Sequence, residues 1–565
     1  MFICRVIFIL LFTFIAFNCC FNLFSSIFYA TSFVFPYAIY PFDICQKAPV
    51  AWHHIKLLYI LTFLFSTVVI LNSIFSFFYN KYHKKDVRKH LFKKKTKPKG
   101  LNLLIGKSEK TNELVYLPER SLYQNILITG TIGTGKTSSA MYPFAKQLID
   151  YKNNSPYEKL GMLILDVKGN FYKQITEFCR ESNRLDDLIV IEIGGEFTYN
   201  PLDKPELSAT VLASRLKNIL TLFSPETSES YWLDKAEQVL AEAIKICRLY
   251  NNGYVDFSEI HRLINDETYF NSRIENIKIK FLNHEFSRCA MYNLYSALKF
   301  FQEEFKMLDS RVLSILKSEI SRMTSTFISD YDVMRTFCPK KDDVNFTGFK
   351  EVLEKGKIVV LNMNISEYKN LSRIIAAYLK MDFQTEILMT LSSGKIRKSA
   401  FICDEYHEYV TETDSNFFAQ SREAMSINIV ATQSYSSLLN SIKNEAATKV
   451  IIQNLINKLW FRNDDLFTIE TAQKQIGKED KTRISKSFSE NAQKTFYNYF
   501  TNSLNSKDSS ISESISSFVN SDFVYDYNFF TRSLETFSCL SFLSNGDKII
   551  SPDKLKLFPY FQSKK

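Results

Sequence analysis

The sequence predicts an α/β protein in which a mostly parallel sheet, covered by helices on both faces, is interrupted by an all-α insertion and preceded by two transmembrane helices. Three observations carry that prediction. Short apolar runs at residues 162–165, 188–193, 358–361, 400–403, 427–431 and 458–461 alternate with amphipathic stretches, as buried parallel strands joined by helices do. Between residues 205 and 338 the strand signal vanishes, and segments such as 232–250 and 292–307 carry apolar residues at the 3.6-residue helical spacing. Residues 6–28 and 57–79 are long apolar runs, each exceeding the roughly 20 residues a helix needs to cross the hydrocarbon core.

The membrane part sets the orientation. Residues 81–99 hold ten Lys/Arg and one Asp, a local +9 of the chain's net +10, and directly follow the second apolar run, whereas residues 29–56 carry few cations. Positive-inside asymmetry places the C-terminal body in the cytoplasm and the short loop outside. A cleaved signal peptide is the alternative for residues 6–28, which are longer than a signal core and lack a small-x-small exit. The remaining residues sum to about +1, which excludes a uniformly basic nucleic-acid-binding body; any DNA groove is a local pattern. Ten cysteines without a C-x-x-C pair read as reduced, mostly core residues of an intracellular protein.

The 565 residues divide as a membrane anchor (1–80), a basic juxtamembrane segment (81–100), a first nucleotide-domain part (101–205), the all-α insert (206–340) and a second nucleotide-domain part (341–565). Residues 485–521 contain twelve Ser among Lys, Asn and Asp, the bias of a long surface loop or mobile hairpin. Asn545-Gly546-Asp547 reads as a turn.

The chemistry concentrates at Gly130-Thr131-Ile132-Gly133-Thr134-Gly135-Lys136-Thr137, which fills the phosphate-loop pattern G-x-x-x-x-G-K-[ST]. A buried strand over residues 124–129 precedes it, and a helix is expected from Ser138 to residue 149. Backbone N–H groups from Gly130 to Ser138 then cradle phosphate oxygens at a helix N-terminus. Lys136 reaches the β- and γ-phosphates of ATP, and the Thr137 hydroxyl holds Mg²⁺.

Phe401-Ile402-Cys403-Asp404-Glu405 supplies the second half, an apolar strand ending in two carboxylates. Asp404 belongs to the Mg²⁺ shell and Glu405 polarises the attacking water. The next strand ends at Gln433, a γ-phosphate sensor position, and Arg422, eleven residues earlier, suits an arginine finger acting on a neighbouring subunit's nucleotide. His407, beside Glu405 and Glu408, lacks a second ligand at helical spacing and reads as a packing or hydrogen-bonding residue, not a metal ligand.

Taken in order, these motifs resemble the type IV coupling proteins, the TraG/TraD-like ATPases of conjugation and type IV secretion. The run Leu165-Asp166-Val167-Lys168-Gly169-Asn170 resembles the family's D-P-K-G-E element, with departures at Val167 and Asn170 that leave the roles of Asp166 and Lys168 open. Asn200-Pro201-Leu202-Asp203 resembles its step into an all-α domain, and Ser421-Arg422 through Gln433-Ser434 its finger-to-sensor segment. Asn454 stands where the family has an Asn.

The resemblance implies a RecA-like P-loop NTPase at the cytoplasmic face of the cell membrane, assembled as a homo-hexamer. Such a motor delivers relaxase-bound single-stranded DNA to a type IV secretion channel, with non-specific, salt-sensitive DNA contacts. The rivals are a double-stranded DNA pump of the FtsK or HerA kind, a protein-export ATPase, and a docking receptor with an idle ATPase. The intact Lys136, Asp404, Glu405 and Gln433 argue against the last.

Overall fold

The computed structural model describes residues 100–565 except 168, 224–229, 284–286, 364, 395, 491–495, 499–502, 506–510 and 562–565. The apolar runs at 6–28 and 57–79 and the basic run at 81–99 lie outside the described residues. Among the described residues no helix is long and apolar enough to cross a membrane.

The strands, in chain order, are β1 (Asn102–Ser108), β2 (Leu114–Pro118), β3 (Ile126–Thr129), β4 (Gly161–Leu165), β5 (Leu188–Ile191), β6 (Ile358–Leu361), β7 (Ser399–Cys403), β8 (Ser426–Thr432), β9 (Asn457–Trp460), β10 (Lys478–Glu490), β11 (Phe496–Asn498), β12 (Ser503–Asn505), β13 (Ile511–Phe523), β14 (Ser538–Phe542) and β15 (Asp553–Lys556). Eleven of them form one sheet in the order β2-β1-β15-β14-β9-β3-β8-β7-β4-β6-β5. From β9 to β5 every pairing is parallel. Strands β3, β4, β6, β7, β8 and β9 are buried at every position, because helices cover both faces, and this is why they read as uninterrupted apolar runs. Edge strand β5 alternates instead. The α/β class with a large parallel sheet therefore holds.

The other edge differs from a purely parallel expectation. Strands β14, β15, β1 and β2 add to β9 in antiparallel fashion, with Leu540 opposite Trp460 and Ser108 opposite Leu555. Antiparallel strands can be joined by short turns, as β1 and β2 are here.

Between β5 and β6, among the described residues, eight α-helices of seven or more residues follow one another: Ala209–Phe223, Ser230–Tyr250, Phe257–Asn265, Glu267–Asn283, Arg288–Lys299, Ser310–Thr324, Tyr331–Phe337 and Phe349–Lys355. Asp256, Asp309 and Asp330 cap three of them by accepting backbone N–H groups. Their core contains the stacked pair Phe257–Phe327, 3.9 Å between centroids. A buried hub joins these helices to the sheet layer: Asp382, on the long helix Ile365–Ser393, receives Lys204 at 2.7 Å, Arg215 at 3.3 Å and the Tyr199 hydroxyl at 2.9 Å. Charges so deeply buried persist only when paired in this way.

The Ser-rich region forms a ribbon, with β10 and β13 antiparallel from Lys478↔Phe523 to Glu490↔Ile511, roughly 40 Å long at 3.3 Å per residue. Cys179, Cys247, Cys403 and Cys539 are buried, but Cys289 is exposed and departs from the core reading of the cysteines.

A candidate nucleotide site at the carboxyl edge of the sheet

Chain turns at the carboxyl ends of the parallel strands pin the phosphate loop from three sides. Gly130 N–H donates to the Gln433 carbonyl at 3.2 Å, at the end of β8. Thr131 N–H and its hydroxyl donate to the Arg462 carbonyl at 2.9 and 3.2 Å, just past β9. Phe537 N–H, before β14, donates to the Thr134 carbonyl at 3.1 Å. Gly133 and Gly135 have φ of 80° and 93°, the left-handed region where glycine carries no Cβ penalty. At Gly135 the space is also taken, since a Cβ would strike the Phe537 ring.

Lys136 is 6% exposed and folds back onto the loop, its Nζ donating to the carbonyls of Gly130 at 2.5 Å and Thr131 at 3.2 Å. Ile132, at the tip, is exposed. A π-turn over Thr137–Met141 leads into the helix Tyr142–Asp150, and the Ser138 and Ser139 hydroxyls donate to the Gly135 carbonyl at 3.3 and 2.8 Å. The loop thus opens a helix whose first N–H groups face the turn.

Asp404 and Glu405 follow β7, with β8 lying between β7 and β3. The Thr137 hydroxyl donates to Asp404 Oδ2 at 2.6 Å, so the two residues expected to flank Mg²⁺ already touch. Burial pushes the Asp404 carboxyl up to about 6, opposed by the Thr137 hydrogen bond and reinforced by the carboxylates of Glu405 and Asp166. A buried carboxyl in that condition suits a cation. Glu405 is 7% exposed and sits at φ 48°, ψ 47°, with its N–H donating to Asp404 Oδ1 at 3.0 Å. A non-glycine residue held there is strained, which is common where a side chain must be aimed.

His407 is a half-buried hydrogen-bonding residue, as its sequence context suggested. Its Nδ1 lies 3.2 Å from the Thr432 hydroxyl and 3.7 Å from Glu405 Oε2, and its Nε2 lies 3.7 Å from Glu408 Oε1. Glu408 in turn pairs with Arg373 of the long helix. Burial holds the imidazole below the usual histidine range, so it is neutral at pH 7. Among the described residues no group of His, Cys, Asp and Glu is assembled to hold a metal on its own.

Gln433 is half-buried beside Gly130, its carbonyl also accepting from Asn463 Nδ2 at 2.8 Å. Arg422 lies elsewhere. It is exposed, in the turn entering β8 at the amino edge of the sheet, roughly 20 Å from Gln433 by the rise of a seven-residue strand. Its neighbour Ser421 is anchored there by buried Asn125 and Asn428, with Asn428 Nδ2 donating to Asn125 Oδ1 at 2.7 Å and to Ser421 Oγ at 3.2 Å.

Three residues left open by the motifs acquire local roles. Asp166 Oδ2 accepts the N–H groups of Asn170 and Phe171 at 3.0 and 3.1 Å, capping the helix Phe171–Glu181. Asn200 closes its own turn, accepting from Leu202 N–H at 2.9 Å and donating to the Val255 carbonyl at 2.9 Å. Asn454 donates to the Ser415 carbonyl at 3.1 Å at the amino edge, away from the loop. Lys168 lies outside the described residues. Arg462, Asn463, Ser139 and Phe537 went unnoticed in the sequence: Arg462 and Phe537 act through main-chain groups or by covering a glycine, and Asn463 and Ser139 bond main-chain carbonyls, none of which leaves a motif.

Residues 317–516 match the family described as the type IV secretion-system coupling protein DNA-binding domain. No curated protein matches the chain. Among solved structures, the bacterial conjugative coupling protein TrwBdeltaN70, trigonal form in complex with sulphate, is 14% identical with a TM-score of 0.53, covering 81% of this chain and 94% of that one. The plasmid coupling protein TrwB in complex with ADP and Mg²⁺ is 12% identical with a TM-score of 0.52, covering 78% of this chain and 87% of that one. Its complex with a non-hydrolysable ATP analogue gives 12% identity, a TM-score of 0.51 and coverage of 77% and 86%. At these identities the likeness to the structures is one of fold. Together with the family match it bears out the resemblance to type IV coupling proteins seen in the motif order.

Proposed function

We propose that this chain, a relative of the type IV coupling proteins, is a membrane-anchored ATP-driven motor of RecA-like fold that delivers relaxase-bound single-stranded DNA to a type IV secretion channel. The observation that carries the reading is that the coupling-protein match at 317–516 spans Asp404, Glu405 and Gln433, which lie beside the phosphate loop, together with Arg422. The TrwB complexes with ADP and Mg²⁺ and with an ATP analogue support a nucleoside triphosphate as the ligand of that loop.

The residues fit that ligand. Thr137 and Asp404 would hold Mg²⁺, which would supply positive charge to the phosphates. Lys136, whose Nζ lies on the Gly130 and Thr131 carbonyls of the loop, adds a second charge. Backbone N–H groups along the loop and the first helical turn bind the remaining oxygens. Glu405, aimed by its left-handed backbone, orients the attacking water, and Gln433, strapped to Gly130, monitors the γ-phosphate. Arg422 faces away from its own chain's loop and serves a neighbour's, which makes a homo-hexameric ring the working form. Two spans at residues 6–28 and 57–79 anchor the ring, and residues 81–99 hold it against anionic lipid.

Phosphate release by the full chain in detergent, without DNA and with single- or double-stranded DNA, tests the proposal. Single-stranded DNA is expected to raise the rate several-fold and more than duplex, with affinity falling steeply as salt rises. A larger effect of duplex would favour a double-stranded DNA pump. Indifference to both would remove DNA from the function.

A further inference from the structure

Phosphates held at the start of a helix leave the nucleoside running along the flank of that helix's first turns. On this chain that flank is lined by aromatic rings brought from distant segments. Phe537, at φ 63°, covers Gly135, and its carbonyl accepts the Leu557 N–H at 2.8 Å. That bond brings the segment following β15 back to the phosphate loop. Phe561 then lies 6.1 Å from Phe537, ring to ring. Tyr560 lies 5.6 Å from Phe561 and stands edge-on to Tyr142 at 5.0 Å, and Tyr142 rests against Phe171 at 4.7 Å. Tyr142 is five residues beyond Thr137 and begins the regular helix, so the rings run from the loop's last glycine to the end of its first turns. Phe171 is buried and Tyr142, Phe537 and Tyr560 are half-buried, but Phe561 remains 48% exposed. A large apolar ring left half in water beside a phosphate cradle lacks only a flat partner.

We infer that Phe561, backed by Tyr560 and Phe537, is the nucleobase platform of the phosphate-loop site, and that it takes the base by stacking. The inference rests on the reading of that loop as a nucleoside triphosphate site. Stacking is indifferent to the base's hydrogen-bonding edge, because every base offers a π-face. The platform therefore accepts adenine and guanine alike, and specificity for the triphosphate stays with Lys136 and Thr137.

Equilibrium binding of ATP, GTP and inorganic tripolyphosphate to the full chain, each with Mg²⁺, separates the base contribution from the phosphate contribution. Phe561→Ala is expected to weaken ATP and GTP by a similar factor, roughly ten-fold, and to leave tripolyphosphate unchanged. Phe561→Leu, which keeps the apolar bulk and loses the π-face, is expected to weaken both nucleotides as well. Phe561→Trp is expected to retain affinity, its fluorescence quenched by ATP and not by tripolyphosphate. Unchanged nucleotide affinity in Phe561→Ala would overturn the platform. Equal weakening of all three ligands would overturn it too, because the ring would then only support the loop. If the native chain bound neither ATP nor tripolyphosphate, the phosphate-loop reading itself would fall, and the platform with it.

Discussion

The two edges of the parallel sheet are built from the same strands and do opposite things. At the carboxyl edge the ends of β3, β7, β8 and β9 converge on one spot: the phosphate loop, Asp404, Glu405 and Gln433. Charged side chains are buried there, and both a glycine pair and Glu405 occupy left-handed backbone. At the amino edge the same strands start from a neutral amide network of Asn125, Asn428 and Asn457, and the charge that matters, Arg422, points outward from it. One chain thus separates its expected finger from its own phosphate loop by the length of β8. The comparison teaches that the two edges are prepared differently: the loop at the carboxyl edge is pinned by its neighbours, and Arg422 at the amino edge is left exposed, where the proposed ring would offer it to another copy.

The connection between the edges is the first place to break this arrangement. After Glu405 the chain runs back through Asp414 and the helix Asp414–Gln420 to Ser421 and Arg422. Asp414 is fully buried and bonded to Lys380 at 2.5 Å, to Thr411 and to Tyr406. Lys380 also donates to the Tyr409 carbonyl at 2.7 Å. Lys380→Met leaves that carboxylate unpaired, with an expected loss of about 3–5 kcal/mol in denaturant unfolding. The double substitution Lys380→Met with Asp414→Leu should recover much of it.

A smaller effect of opposite sign is expected on β9, which ties both edges together through Asn457 and the Arg462 carbonyl. Lys458 is buried between them, its Nζ 5.9 Å from the Phe542 ring, and burial lowers its pKa from 10.5 to about 8. The unfolded side chain keeps its proton to about pH 10.5, so the folded state carries the full penalty below pH 8 and sheds it as pH rises toward 10.5. Lys458→Met is expected to stabilise the chain by roughly 2 kcal/mol at pH 7 and to flatten the rise of stability above pH 8. Thermal unfolding between pH 7 and 10 measures both.

The smallest stability change belongs to the amino edge. Asn428→Ala removes three side-chain hydrogen bonds, to Asn125, Ser421 and Ser426, and leaves Asn125 Oδ1 short of a donor, costing about 1–2 kcal/mol. Because Ser421 loses the same partner, the loss in phosphate release should exceed what that stability change explains. Equal nucleotide affinity with reduced turnover would mark the effect as one on Arg422's turn.

How much of this was legible in the sequence follows the same division. The central strands announced themselves because burial on both faces makes them unbroken apolar runs, and the phosphate loop because its glycines and Lys136 are fixed by spacing. The flanking strands β1, β2 and β15 did not, since short, partly buried strands of mixed composition resemble loops. Phe537 and Arg462 shape the site through tertiary approach and main-chain carbonyls, for which no residue pattern exists. His407 was legible as a packing or hydrogen-bonding residue, but its partner Thr432, twenty-five positions away, was not.

The central claim, that each phosphate loop is completed by another copy's Arg422, is tested most directly by mixing. Lys136→Ala and Arg422→Ala chains, each full length and each expected to release phosphate at a rate near background, are combined and assayed at matched total concentration. The account predicts that the mixture hydrolyses ATP well above the sum of its parts, because intact Lys136 on one copy meets intact Arg422 on the next. A mixture no more active than that sum, or native turnover by Arg422→Ala alone, would contradict it.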